Sequence, residues 1–558
     1  MIASLWMVVA HAADPAPSPP VEIAAAELQR AMATLSEQPS PPHYAAVAIQ
    51  DVESISLRAR DGVAETPRRA RNRFLDVEVR TGTPQIDSTH ALRGFSRLDG
   101  SNRNVLRIPL DDGHALEHAL WRELDRRYRE ARERIVIVQA NLNVKVDEDR
   151  PADDFEPREG LVDVIEVPPL TLDEGAWGAR LAALDGLLHD DPQVHRSSVS
   201  LEATRQVKSL VDTEGAKLVY GRRHYRLSLF LGSRAADGDD ISVFRAFDVH
   251  DPADLPGDGA LTALADESLA ELQSRIEAPR AEPYSGPVLL SGKASGVFVH
   301  EVLGHRVEGH RQKRDDEGRT FAEQVGRSVL PGFIDIYDDP TIEEWQGTPL
   351  NGHYHYDDEG VGAARADIVD DGVFVGFLMS RSPIPGFANT NGHGRRSPGR
   401  APTARMGNTI LEARRKVPDA SLRRRLVQLV RRQGLEYGYI VDEIEGGFTL
   451  TGRVTPNAFN VRASRTRRVY ADGRPDEIVR GIDLVGTPLV AFSNLVAAGT
   501  RTEVFNGTCG AESGWVPVSA VAPSLLFERL EFQLKEKGQE RPPLLDKPMP
   551  DGAAMELP

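Results

Sequence analysis

The sequence predicts an α+β protein of two domains: an N-terminal α/β domain, and a C-terminal domain of mainly antiparallel β-sheet carrying one chemically distinctive helix. Three observations predict it. At 558 residues the chain is longer than one hydrophobic core usually serves. In its first half, segments with apolar residues at helical spacing are interleaved with polar-alternating runs that read as hairpins. In its second half strand-like runs dominate, and beyond the distinctive helix only one arginine-rich helix interrupts them.

In chain order, residues 21–38 predict a helix with Ile23, Leu28, Met32 and Leu35 at roughly helical spacing, stopped by Pro39, Pro41 and Pro42. Residues 44–49, 55–60 and 74–80 are strand-like, the last two ending at Asp61-Gly62 and Thr81-Gly82. Residues 115–134 predict a second helix, with Leu116, Leu120, Leu124 and Tyr128 four apart beneath an Arg/Glu-rich face. Residues 166–170 and 197–201 are ambiguous. Residues 217–220, 225–231 and 241–247 predict strands of one antiparallel sheet, and 261–276 a helix carrying Leu264, Leu269 and Leu272. The Pro-containing connector 278–286 sets the boundary between domains at 21–280 and 285–534. Residues 287–290 then read as a short buried strand. Further strands are expected at 332–337, 366–369, 373–379, 448–451, 458–461, 466–470 and 489–494, with a helix at 420–433. The charged, proline-rich tail 535–558 is expected to be disordered.

With 40% hydrophobic and 27% charged residues the composition is that of an ordinary globular protein. A net charge of −17 disfavours nucleic acid and anionic membrane as partners, and the arginines of 420–433 read as a solvated face. No apolar run approaches the ~20 residues that span a bilayer, so no stable membrane insertion is expected. Residues 1–13 end in Ala10-His11-Ala12 before a proline-rich stretch, although no positively charged segment precedes them. Residues 1–20 are therefore expected to be the end of a signal peptide and a linker, which places the protein in the periplasm or outside the cell; otherwise it is cytoplasmic. Cys509 is the single cysteine, so no internal disulfide forms, and in an exported protein such a thiol must be buried or bound.

Residues 296–310 read GVFVHEVLGHRVEGH, placing His300, Glu301 and His305 in an apolar-periodic segment. A His-Glu pair followed by a second histidine is how metallopeptidases hold zinc: two neutral imidazoles bind the ion and the carboxylate takes a proton from the activated water. The usual spacing puts the histidines four apart; here they are five apart, roughly 140° around a regular helix. Gly304 can relax the backbone, or a π-type turn can bring the two rings together.

The segment closely resembles the TldD/PmbA family of metallopeptidases, whose signature is HExxxH with a late cysteine. The resemblance continues through Asp357-Asp358-Glu359-Gly360, Asn391-Gly392-His393-Gly394-Arg395-Arg396, Ala404-Arg405-Met406-Gly407-Asn408-Thr409, Glu445-Gly446-Gly447 and Asn506-Gly507-Thr508-Cys509-Gly510, over roughly residues 285–530. It implies Zn2+ held by His300, His305 and Cys509, with Glu301 as the general base. His310 competes as third ligand; Cys509 is favoured because it matches the family ligand, sits in a glycine-rich loop and offers a thiolate, which suits zinc. His393, with Arg395 or Arg396 beside it, is a candidate for polarising the scissile carbonyl or binding a peptide carboxylate, or else sits in a turn with exposed charges. His353, Tyr354 and His355 could line the cleft, and solvation of the acidic run 357–359 is favoured over calcium binding. The implied function is zinc-dependent hydrolysis of unfolded or short peptides through a metal-activated water. The implied partner is a second copy of the chain or a paralogue. The rival from another class is a non-catalytic assembly or binding subunit that keeps zinc for structure.

Overall fold

The computed structural model describes residues 19–92, 105–110, 112–142, 152–313, 317, 319–449, 458–536, 545 and 547. The signal-peptide expectation and most of the 535–558 tail lie outside the described residues. Two sheets, one of eight strands and one of eleven, organise the chain, and together with seven described α-helices they make an α+β fold.

The first sheet is built on four long antiparallel strands, β1 (Pro42–Arg60), β2 (Arg68–Thr81), β3 (Arg196–Asp212) and β4 (Lys217–Arg234), in the order β2-β1-β3-β4, with β5 (Asp240–Val249) beside β4. The expected strands 44–49 and 55–60 are one continuous strand. The polar residues between them are paired on both sides, and Asp51 accepts from Arg73 on β2 at 2.6 and 2.8 Å. Helices α1 (Pro20–Leu35) and α2 (Gly113–Leu142) cover one end of this sheet, while α3 (Glu174–His189) and α4 (Asp258–Glu277) cover the other. Helix α3 was not among the expected elements. Its signals are present: Trp177, Leu181, Leu184 and Leu188 at helical spacing, and Asp173 capping the Ala176 N–H at 2.9 Å. Tyr220 and Arg222 share one face of β4 and reach into the second half of the chain. They donate to the Asp357 and Asn351 carbonyls at 2.8 Å each.

The second sheet contains β6 (Tyr284–Leu290), β7 (Ile334–Asp338), β8 (Ala366–Asp370), β9 (Asn408–Ala413), β10 (Tyr437–Thr449), β11 (Phe459–Tyr470), β12 (Ile482–Gly486), β13 (Leu495–Ala511) and β14 (Gly514–Leu534). Their order is β8-β7-β9-β14-β12-β11-β10-β6, with β13 paired along β14. Because β6 also pairs with β14, the run from β14 through β6 returns on itself. Two pairings, β9 with β14 and β10 with β6, are parallel, so the sheet is mixed. Residues 489–494, expected as a strand, fall in and at the end of a short helix, Pro488–Ser493: Pro488 sits in its first turn, where a missing N–H costs nothing. Of residues 373–379 only the first two pair in a strand. Leu378 instead exchanges backbone hydrogen bonds with Val307 and Gly309, holding the segment next to the histidine motif.

Inside this second sheet runs α5 (Gly292–Val302), whose sequence GKASGVFVHEV is apolar or small almost all round, the pattern of a fully buried helix. The Phe298 ring meets those of Phe459, Phe492 and Phe527 edge-on at centroid distances of 5.4–5.9 Å. Phe298→Ala is expected to lower stability by about 3–5 kcal/mol through the cavity it leaves, read as a fall in the thermal unfolding midpoint. No described helix is long and apolar enough to cross a membrane.

Candidate metal centre

Helix α5 is fixed at both ends. Ser291 Oγ accepts from the Ala294 N–H at 3.1 Å and donates to the Asp442 carbonyl at 2.7 Å, and Glu503 accepts from the Lys293 N–H at 2.9 Å. Gly292 lies so close to β14 that a Cβ there would stand 2.6 Å from the Ala522 carbonyl oxygen. The helix stops at Val302, and Gly304–Arg306 form a 3-10 turn. The five-residue spacing is thus accommodated by ending the helix before the second histidine, and not by a π-type turn within it. Arg306 Nη1 donates to the Glu301 and Val302 carbonyls at 3.2 and 3.0 Å, satisfying acceptors that the helix end leaves open. Gly304 is required by packing, since a Cβ would stand 2.0 Å from Met406 Sδ.

This break brings both imidazoles to one point. Cys509 Sγ lies 3.3 Å from His300 Nε2 and 3.3 Å from His305 Nε2. The three residues are buried, and their ligand atoms all lie within 4.8 Å of one another. The stretch holding Cys509 is not a loop: it is the end of β13, with Cys509 opposite Val516 of β14. A backbone ladder therefore sets the position of the sulfur. A tetrahedral zinc with nitrogen at about 2.0–2.1 Å and sulfur at about 2.3 Å holds the two roughly 3.5 Å apart, so the observed separations fit that ion to within a few tenths of an ångström. Burial alone would push the Cys509 thiol up, but His305 and His300 outweigh it and hold the pKa well below the usual thiol value. Burial likewise opposes protonation of His300 and His305, yet Cys509, aided at His300 by Glu301 and at His305 by Glu308, raises both. The group is an electrostatically coupled set of soft and borderline donors, the kind that binds zinc.

Glu301 follows His300 on α5 and is buried, and its carboxylate makes no hydrogen bond or ion pair among the described residues. Its charge acts on His300 and on Arg306. His310 does not join the group; its Nε2 is paired with Glu512. His393 is fully buried, with Nδ1 2.9 Å from the Asn391 carbonyl and side-chain oxygens and Nε2 3.2 Å from Asp338. With both ring nitrogens engaged, the expected role in polarising a carbonyl does not fit this geometry. Arg395 and Arg396 are not exposed turn charges either. Arg395 lies over the Tyr354 ring and donates to the Met406 carbonyl, and Arg396 reaches Asp76 of the first sheet at 3.1 Å. In the acidic run 357–359, Asp357 and Glu359 are buried and Asp358 is half-buried. Asp357 accepts from the Glu359, Val361 and Gly394 N–H groups, Asp358 pairs with Lys208, and Glu359 accepts from the Arg381 N–H, so each acid is engaged by protein groups and the run is not a solvated loop. His353 and His355 stack edge-on at 5.0 Å, and His353 Nδ1 lies 2.9 Å from the Pro340 carbonyl.

Two residues around the group carry no expectation from sequence, Glu308 and Arg405. The first stands three positions after His305 and the second lies in one of the family-like blocks, but both become conspicuous only when chain positions far apart are brought together.

Fold and site together define an α+β protein whose second sheet encloses a helix bearing two histidines that meet a strand cysteine. Residues 283–534 match the family model described as the PmbA/TldA metallopeptidase C-terminal domain. The chain is 27% identical over 351 residues to a protein of Methanothermobacter thermautotrophicus named "Metalloprotease", covering 61% of this chain and 69% of that one. It is 25% identical over 271 residues to the "Zinc metalloprotease TldD homolog" of Saccharolobus solfataricus, covering 47% of this chain and 56% of that one. The crystal structure of TldE from Thermococcus kodakarensis shares the fold, with a TM-score of 0.58 at 13% identity over 91% of this chain and 99% of that one. Residues 283–534 of the chain are thus similar to the C-terminal domain of the TldD/PmbA metallopeptidases.

Proposed function

We propose that the protein is a zinc-dependent peptidase in which His300, His305 and Cys509 hold the ion and Glu301 is the general base. The observation that carries this reading is the approach of one sulfur to two imidazole nitrogens, at 3.3 Å each, from chain positions more than two hundred apart. Relatives named as metalloproteases support it. Among the described residues the donor set numbers three, one short of the four that close a structural zinc site, which is the pattern of a site that keeps a position for chemistry.

When bound, the zinc ion supplies Lewis acidity toward a peptide carbonyl and toward water. The chain's own groups do the rest. His300 and His305 must be neutral and Cys509 a thiolate to serve as donors, and their mutual burial holds them in one orientation. Glu301, with no hydrogen-bond or ion-pair partner to give up among the described residues, is available to take a proton from the attacking water and deliver it to the departing amine nitrogen. In this reading residues 21–280 and 285–534 act as two domains, substrates are unfolded or short peptides, and the chain works as a dimer with itself or a paralogue.

Metal analysis by mass spectrometry, combined with casein and short-peptide cleavage before and after chelation, tests the proposal. About one zinc per chain is expected, with hydrolysis abolished by chelation and restored by added zinc. Zinc retained without hydrolysis favours the assembly subunit. Hydrolysis indifferent to chelation, or no zinc uptake, overturns the reading.

A further inference from the structure

The two arms of the His–His–Cys group are joined behind it by buried charges that the reaction itself does not call for. Glu308 and Arg405 are both 0% exposed. Glu308 lies 3.4 Å from His305 Nδ1, on the side of the ring away from Cys509, and accepts from Arg405 Nε at 3.1 Å. Arg405 then spends its remaining donors on the cysteine arm. Nη2 donates to the Cys509 carbonyl at 2.9 Å, and Nη1 donates to Ser513 Oγ at 2.9 Å and to the Gly514 carbonyl at 3.0 Å. A second strut runs alongside: Arg311 donates to Glu308 at 2.8 and 3.0 Å and to Glu512 at 3.1 Å.

The geometry points to Glu308 and Arg405 as positioning residues that together hold both arms of the His–His–Cys group, an inference that rests on the zinc reading above. Glu308 accepts a hydrogen bond from the His305 Nδ1–H, which fixes the tautomer with its free Nε2 lone pair toward the sulfur, and a carboxylate behind a ligating imidazole also raises its basicity. Arg405 ties that same carboxylate to the backbone of the residue that supplies the sulfur. One guanidinium thereby couples the orientation of a ring near the end of α5 to the position of a strand in a hairpin. The other imidazole lacks this support, since His300 Nδ1 is buried with no partner among the described residues. Only the rigid planar fork of arginine spans four acceptors in one plane; lysine, a point charge on a flexible stem, keeps the charge and loses the span.

Arg405→Lys and Glu308→Gln test this by zinc affinity in competition with a chelating indicator, and by the absorption spectrum of the cobalt-substituted protein. Asp239→Asn serves as the control. It breaks a buried ion pair with Arg480, 2.7 Å long, that touches none of these residues. Zinc affinity is expected to fall about 10–100-fold in both test variants, with a shifted thiolate-to-cobalt band in Arg405→Lys, while the control lowers only the unfolding midpoint of the zinc-free protein. Should Glu308→Gln fail to fold, because two arginines are left without their shared carboxylate, Arg405→Lys alone decides. Wild-type affinity and an unshifted band in Arg405→Lys overturn the inference, as does an equal loss of affinity in Asp239→Asn. A wild-type protein that takes up no zinc overturns the zinc reading and this inference with it, whereas unchanged variants of a zinc-binding wild type sink this inference alone.

Discussion

Replacing Glu301 with glutamine is expected to lower peptide hydrolysis about 10²–10⁴-fold while leaving zinc content at the wild-type level. The separation of the two readouts follows from where the side chain sits. Glutamine keeps the shape of glutamate, so the packing of α5 inside its sheet is undisturbed. The carboxylate makes no hydrogen bond or ion pair among the described residues, so its removal orphans no donor and carries no folding penalty of the kind seen when a buried partner is lost. What disappears is the ability to accept a proton. The charge also acts on His300 and Arg306, but neither depends on it for a hydrogen bond, and Arg306 remains anchored to the end of α5 through the Glu301 and Val302 carbonyls. Steady-state kinetics on a short peptide, paired with metal analysis of the same preparation, reads the effect. A variant as active as wild type would remove Glu301 from the mechanism, and a variant that loses zinc along with activity would make it a supporting residue of the metal group.

The sequence made the helix arm legible because its signals are local. His300, Glu301 and His305 are separated by one and four positions, and Gly304 advertises a backbone departure just where the 3-10 turn begins. Cys509 was legible for a different reason: it is the single cysteine of the chain. The clamp behind the group was not legible, because Glu308 and Arg405 are ordinary charged residues until folding buries both against each other. The same limit misread the acidic run 357–359 and the arginines at 395 and 396, whose burial depends on backbone N–H groups and partners contributed by distant segments. Among the elements, long amphipathic helices such as α2 and strands of the first sheet followed from periodicity. The errors fell where tertiary context overrode it. A polar stretch of β1 stayed paired through Asp51 and Arg73, and an apolar run at 489–494 became a helix because Pro488 starts it and β13 begins immediately after it.

Cys509→Ser is expected to reduce zinc affinity by at least about two orders of magnitude, since binding energies of the order of 13 kcal/mol for a four-ligand zinc site amount to roughly 3 kcal/mol per ligand. Serine nearly preserves the volume, and the backbone pairing with Val516 and the Arg405 contact to the carbonyl do not involve the side chain, so the hairpin should persist. The donor, however, changes from a thiol whose pKa the two imidazoles lower to a hydroxyl that stays protonated, and two imidazoles alone remain. His310→Ala supplies the contrast, because its Nε2 is paired with Glu512 and His310 is not part of the His–His–Cys group. Zinc titration of the two variants therefore separates the rival third ligands: loss of affinity in Cys509→Ser with retention in His310→Ala assigns the sulfur. The reverse pattern would require the 309–313 turn to swing toward His300 and His305, which means breaking the Arg311–Glu512 and His310–Glu512 pairs that now hold it to the hairpin. That cost is the physical reason to expect the first outcome.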